Sequence, residues 1–266
     1  MADSGSKPLA ETDRPPAWRH YTWAALIALL PCAMVFTVVD PWPQDLAYHE
    51  FADRRSWLGI PHFANVISNL PFVVVGVFVL WHVAAAARRA RPPGERVAQL
   101  VFFASILLTG MGSAWYHLQP SNHSLVWDRL PMSVGFMALL SMLISERVSA
   151  RWGTRLLAPL CLLGVASVVW WAMKDDLRLY AIVQFYPMLI IVLMLLRLSS
   201  RHSHGNRYWG VLAWYALAKV CEAADGWLLQ TLHVISGHSL KHLFAALAAW
   251  WLLRMLQLRS VDPRQR

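Results

Sequence analysis

A chain of 266 residues that is 57% hydrophobic and only 15% charged is too apolar for an ordinary soluble domain and long enough for several membrane spans. A formal net charge of +9 would suit a nucleic-acid partner. The arginines, however, fall mainly in short loops between apolar runs, no basic face forms and no RNA-binding motif occurs, so composition excludes a nucleic-acid binder and predicts one polytopic all-α membrane domain.

In chain order, residues 1–20 are polar, carry Pro8, Pro15 and Pro16, and read as a disordered tail. The apolar run 21–39 leads into Asp40-Pro41-Trp42-Pro43 without a small-x-small cleavage pattern, so it reads as a retained helix and not as a signal peptide. Residues 40–62 form a loop. Seven further spans follow near 63–87, 97–118, 128–146, 154–173, 179–197, 208–230 and 238–258, each close to the ~20 residues that cross a bilayer, and residues 259–266 form a second tail. Tryptophans such as Trp23, Trp115, Trp127 and Trp209 stand near span ends, where amphipathic rings anchor at headgroup level. Cys32, Cys161 and Cys221 each lie inside an apolar run, which fits small core residues and neither a disulfide framework nor a thiolate zinc knuckle.

Lys and Arg divide unequally between alternate loops. One set holds Lys7, Arg14 and Arg19, then Arg88, Arg89, Arg91 and Arg96, then Arg147, Arg151 and Arg155, then Arg197, Arg201 and Arg207, and finally Arg259, Arg264 and Arg266. The other holds Arg54, Arg55, Lys174 and Arg178. The asymmetry predicts eight spans with both termini cytoplasmic. Short loops and the lack of a visible eukaryotic targeting signal suggest a bacterial inner membrane.

This topology brings the ends of three distant spans to one depth on the extracytoplasmic side. His117 closes the third span, Asp128 opens the fourth, and His238 and His242 open the eighth. Ser113 precedes His117 by four residues and so shares its helical face. Ionisable residues at such a depth are costly and mark a functional site by default. Three neutral imidazoles and a water make an open tetrahedral zinc site of the catalytic kind, beside which a carboxylate such as Asp128 could accept the water's proton. A metal-free polar cluster is the plainer reading, and His123 and His233 lie on the correct side as reserve ligands.

Ser113-x3-His117, Asp128 followed by Leu-Pro-Met, and His238-x3-His242 resemble the signature elements of the alkaline ceramidases, part of a superfamily that also contains the progestin and adipoQ receptors. The resemblance spans about residues 60–258. It implies a seven-helix catalytic core, 63–258, to which 21–39 is an addition, with zinc at His117, His238 and His242 and with Ser113 and Asp128 beside the metal-bound water. Asn65, Ser68 and Asn69 are similar to the family's first core helix, where such a trio either lines the cavity or bonds between helices. Asp225 resembles a family aspartate suited to holding a zinc histidine. Two features depart from the family. FADRRSWLG, with Asp53 beside two arginines and with His62 nearby, stands where animal members carry an acidic calcium-binding segment, which argues against Ca2+. Lys241 replaces the usual tryptophan, which bears on headgroup specificity. The intramembrane Lys219 and Glu222 read as a structural ion pair.

The expected function is that of a zinc-dependent membrane amidase hydrolysing the N-acyl bond of a ceramide-like lipid to a fatty acid and a sphingoid-type amine. The alternative is a receptor-like or transport membrane protein with a structural zinc. Transport would demand polar residues across the whole depth of the bilayer, and here they concentrate in the outer half.

Overall fold

The computed structural model describes residues 33–85 and 93–259. Of the first unit, which ends at Pro41, residues 33–41 are described, and 33–38 are helical. Most of the additional span at 21–39, together with residues 1–20 and the tail beyond Arg259, lies outside the described residues.

From Trp42 onward a second unit is built of helices and loops, with no strand among the described residues. Its α-helices are α1 (Phe63–Ile67), α2 (Leu70–Ala85), α3 (Pro93–Leu118), α4 (Asn122–Arg147), α5 (Ala150–Lys174), α6 (Arg178–Arg197), α7 (Tyr208–Ala223), α8 (Asp225–Leu232) and α9 (Gly237–Leu258). Among the described residues five stretches are long and apolar enough to cross a membrane: Phe63–Trp81, Glu95–Leu118, Asn122–Arg147, Ala150–Lys174 and Arg178–Arg197. In hydrocarbon a backbone must satisfy its own polar groups, and for a single segment only a helix does so. Large apolar side chains such as Val74, Leu108, Leu162 and Leu189 point outward, as lipid permits. The protein is therefore an all-α membrane bundle.

The expected span at 208–230 is helical but interrupted. It divides at Ala224, whose φ of −98° and ψ of 21° leave the helix. This break falls within the run of charges Lys219, Glu222 and Asp225. The last span, α9, is continuous but opens with His238, Lys241 and His242.

Helix α4 is central. Its spanning window is 72% buried, against 28–44% for the other four, and it packs on α3, α5 and α6, while α9 packs on α7 and α2. The α3–α4 turn and the N-termini of α1 and α9 gather at one end of the bundle. Two serine caps fix the helix starts there. Ser121 forms a reciprocal capping box with Ser124 at the head of α4, and the Ser236 side chain accepts from the Ser239 N–H at the head of α9.

Candidate active site

His117, His238 and His242 come together at that end. They are 0%, 6% and 4% exposed, and one ring nitrogen of each lies within 4.8 Å of the others, so the group could hold a metal ion. The Nε2 atoms of His238 and His117 stand 3.3 Å apart. Two nitrogens bound at ~2.0–2.1 Å to one tetrahedral zinc would be separated by roughly the same distance. His123 is exposed, and His233 is an exposed left-handed cap whose carbonyl accepts from Arg55; neither joins the cluster.

The hydrogen-bond chain behind His242 determines its tautomer. Ser68 Oγ donates to the Asn65 carbonyl at 3.0 Å, which uses its single proton. The same oxygen lies 2.8 Å from His242 Nδ1; with both contacts made as hydrogen bonds, Nδ1 is the donor there and Nε2 keeps a free lone pair. Asn65 Oδ1 accepts from Ser239 Oγ at 2.8 Å, and Asn69 Nδ2 donates back to the Asn65 carbonyl at 2.8 Å. Asn65 and Ser68 thus bond between helices, tying α1 to α9, and the trio does not line the cavity. Asp225 acts through the backbone: Oδ1 accepts from the His238 N–H at 2.7 Å in the first turn of α9.

Two glycines allow these approaches. A Cβ at Gly237 would stand 2.0 Å from the Cys221 carbonyl oxygen and 2.8 Å from Asp225 Cα, so only glycine lets α9 begin against the break between α7 and α8. A Cβ at Gly112 would stand 2.0 Å from the Trp127 carbonyl oxygen. Pro131 has no N–H to donate to that carbonyl, and α3 closes on α4 one residue before Ser113 and Asp128 on their respective helices. Ser113 and Asp128 both line the same cavity. Asp128 is buried, and its Oδ1 has no hydrogen-bond partner. An unpaired buried carboxylate oxygen beside a histidine triad fits a site built to receive a metal and a proton donor.

Ser113, Asp128, Lys241 and His242 line one wall of a cavity of about 410 Å³, whose other walls include Phe102, Ile106, Leu139 and Met188. This is within the usual size range of ligand pockets. Lys241 Nζ bonds Glu222 at 2.6 Å, and Lys219 pairs with the same carboxylate. The Lys219–Glu222 pair thus extends to a triad that places Lys241 on the cavity wall.

Sequence reasoning missed the strap formed by residues 42–62. Gln44 N–H donates to Asp175 Oδ1, and His49 bridges Tyr116 Oη and Asn122 Oδ1 at 2.8 and 2.9 Å. Ala52 N–H donates to the second oxygen of Asp225 at 3.1 Å. Between these ties Phe51 lies edge-on to His117 and His238, with centroids 4.6 and 4.7 Å away, and shields the triad from water. Arg55 bonds Asp53 at 2.6 Å and reaches the carbonyls of His233 and Val234. Those hydrogen bonds hold the Asp53 carboxyl below its usual range and raise the Arg55 guanidinium. Only the aromatic residue and the acid–base pair in FADRRSWLG could have signalled this.

The fold is thus a helical membrane bundle with a buried histidine triad that could hold a metal, next to a cavity lined by Ser113 and Asp128. The model of the Ceramidase family matches residues 59–265, and the chain belongs to that family, which makes it a ceramidase-like hydrolase of lipid amides. Comparison with curated proteins and with solved structures gives no match.

Proposed function

We propose that the protein is a zinc-dependent amidase that cleaves the N-acyl bond of a ceramide-like lipid to a fatty acid and a sphingoid-type amine, with His117, His238 and His242 as ligands. The carrying observation is that Ser113, Asp128 and His242 line the same largely apolar cavity. When bound, zinc would supply a Lewis acid and a water of lowered pKa. Asp128 then serves at Oδ1, its unpaired oxygen, taking the proton released as the amide carbon is attacked and returning it to the leaving amine. Ser113, on the same cavity, has a hydroxyl proton to donate to developing negative charge on the amide oxygen. Phe51 and the strap exclude bulk water. The apolar wall accepts chains that enter from lipid.

The charge asymmetry of the loops supports a site on the extracytoplasmic face, both termini in the cytoplasm, and a catalytic core over 63–258 preceded by an additional helix. In the purified protein, His117→Ala or His242→Ala should lose bound zinc, whereas Asp128→Ala should keep zinc and lose turnover of a fluorescent N-acyl sphingoid lipid. Stoichiometric zinc in either histidine variant would overturn the ligand set. Hydrolysis by wild type together with its loss in Asp128→Ala would exclude a receptor in which zinc is only structural.

A further inference from the structure

Arg129 follows Asp128 on α4 and is 6% exposed. Its guanidinium lies over the rings of Tyr48, Trp171 and Tyr180, 5.3, 4.3 and 4.7 Å from their centroids. Nη1 is buried without a hydrogen-bond partner, and among the described residues no carboxylate forms an ion pair with this side chain. The other cations near the cavity have carboxylates in contact: Asp176 holds Arg178 and Glu222 holds both lysines, whereas Asp128, the preceding residue on α4, acts on Arg129 through the electrostatic field without a contact ion pair. Arginine cannot shed its proton to relieve burial, and ring faces offset only part of the cost of desolvating a cation.

The location gives this unmatched charge a direction. Arg129 lines the cavity beside Asp128. Its three rings come from the end of α5, the first turn of α6 and the strap, all at the histidine end of the bundle. The apolar walls, including Phe102, Leu139 and Met188, lie further along the helices. A group seated on Arg129 therefore occupies the headgroup end while acyl chains fill the remainder. A planar fork of N–H donors matches carboxylate and phosphate oxygens.

We propose that Arg129 is the receptor for an anionic oxygen group of the bound lipid, either a phosphate or carboxylate on the substrate's headgroup or the carboxylate of the released fatty acid. The assignment rests on the reading of the protein as an N-acyl lipid hydrolase. The test uses the zinc-loaded, full-length protein in mixed micelles. It compares ceramide with ceramide 1-phosphate of the same chains as substrates, and a fatty acid with the matching fatty alcohol as inhibitors, for wild type, Arg129→Gln and Arg129→Lys. Wild type should favour the anionic member of at least one pair by about tenfold, in kcat/KM or in inhibition constant, and that ratio should collapse in Arg129→Gln and partly return in Arg129→Lys. A ratio seen in the substrates assigns the headgroup; one seen in the inhibitors assigns the product carboxylate.

Equal treatment of both pairs by wild type, or a ratio that survives in Arg129→Gln, overturns the proposal. If Arg129→Gln does not fold, the lysine variant still decides, because loss of the planar fork should lower the ratio several-fold and an unchanged ratio refutes the role. If wild type cleaves neither amide, the hydrolase reading fails. The difference in Tm shift between fatty acid and fatty alcohol, again compared with Arg129→Lys, then tests the anion receptor alone.

Discussion

Ser68 shows how much a single hydroxyl controls. With its proton given to the Asn65 carbonyl it accepts from His242 Nδ1, an arrangement that leaves Nε2 of His242 as the nitrogen available to a metal. Ser68→Ala should leave the bundle folded but release both the tautomer and the ring orientation, and a zinc affinity roughly 10–100-fold weaker in chelator competition is the expected result. Unchanged affinity would mean that packing alone orients the ring. Asp225 works one bond further back. It accepts from the His238 and Ala52 N–H groups and so joins the head of α9 to the strap without touching the imidazole.

At the level of elements, the site depends on helices approaching more closely than side chains normally allow. Gly112→Ala would place a methyl group 2.0 Å from the Trp127 carbonyl oxygen. Forcing α3 off α4 should cost about 1–3 kcal/mol of stability, and turnover should fall further than zinc content because Ser113 and Asp128 separate. Thermal unfolding and metal analysis of the same sample check both parts. The strap adds a pH dependence. Because the folded pKa of Asp53 is depressed by Arg55, its contribution is fully present above the unfolded value of ~3.9 and disappears as pH falls through the lower folded value. The hydrogen-exchange protection of residues 42–62, with the intrinsic pH dependence of amide exchange divided out, should therefore fall in acid below about pH 4, and Arg55→Gln should remove the step. The sequence made the triad legible because each of its residues sits at a span end and the spans alternate in direction. The strap was not legible, since its ties to Tyr116, Asn122, Asp175 and Asp225 cross long separations without any periodic pattern. Nor was the break at Ala224, since the charges Lys219, Glu222 and Asp225 around it read equally well as an ion pair and a histidine-holding aspartate within one continuous helix. Arg129 was overlooked because loop charge counts do not register a cation inside a span, and its three rings come from three separate elements.

For the molecule as a whole, the bundle combines a polar end that carries the chemistry with an apolar interior that continues the membrane into the protein. The cavity connects the two, and small residues on α9 hold it open. Ala249 lies seven residues beyond His242 on the same helical face, about 10 Å deeper at the α-helical rise of ~1.5 Å per residue, and it lines the cavity although it is buried. If the acyl chain occupies this space, Ala249→Leu should shorten the chain that fits while leaving the distant triad intact. The expected outcome is normal zinc content, with kcat/KM for a long-chain N-acyl substrate reduced about 10-fold or more and that for a short-chain substrate little changed, since one or more misfitting methylene groups in a packed apolar site are worth about 1–3 kcal/mol. An equal loss on both substrates would place the acyl chain elsewhere, because a blocked tunnel must discriminate by length.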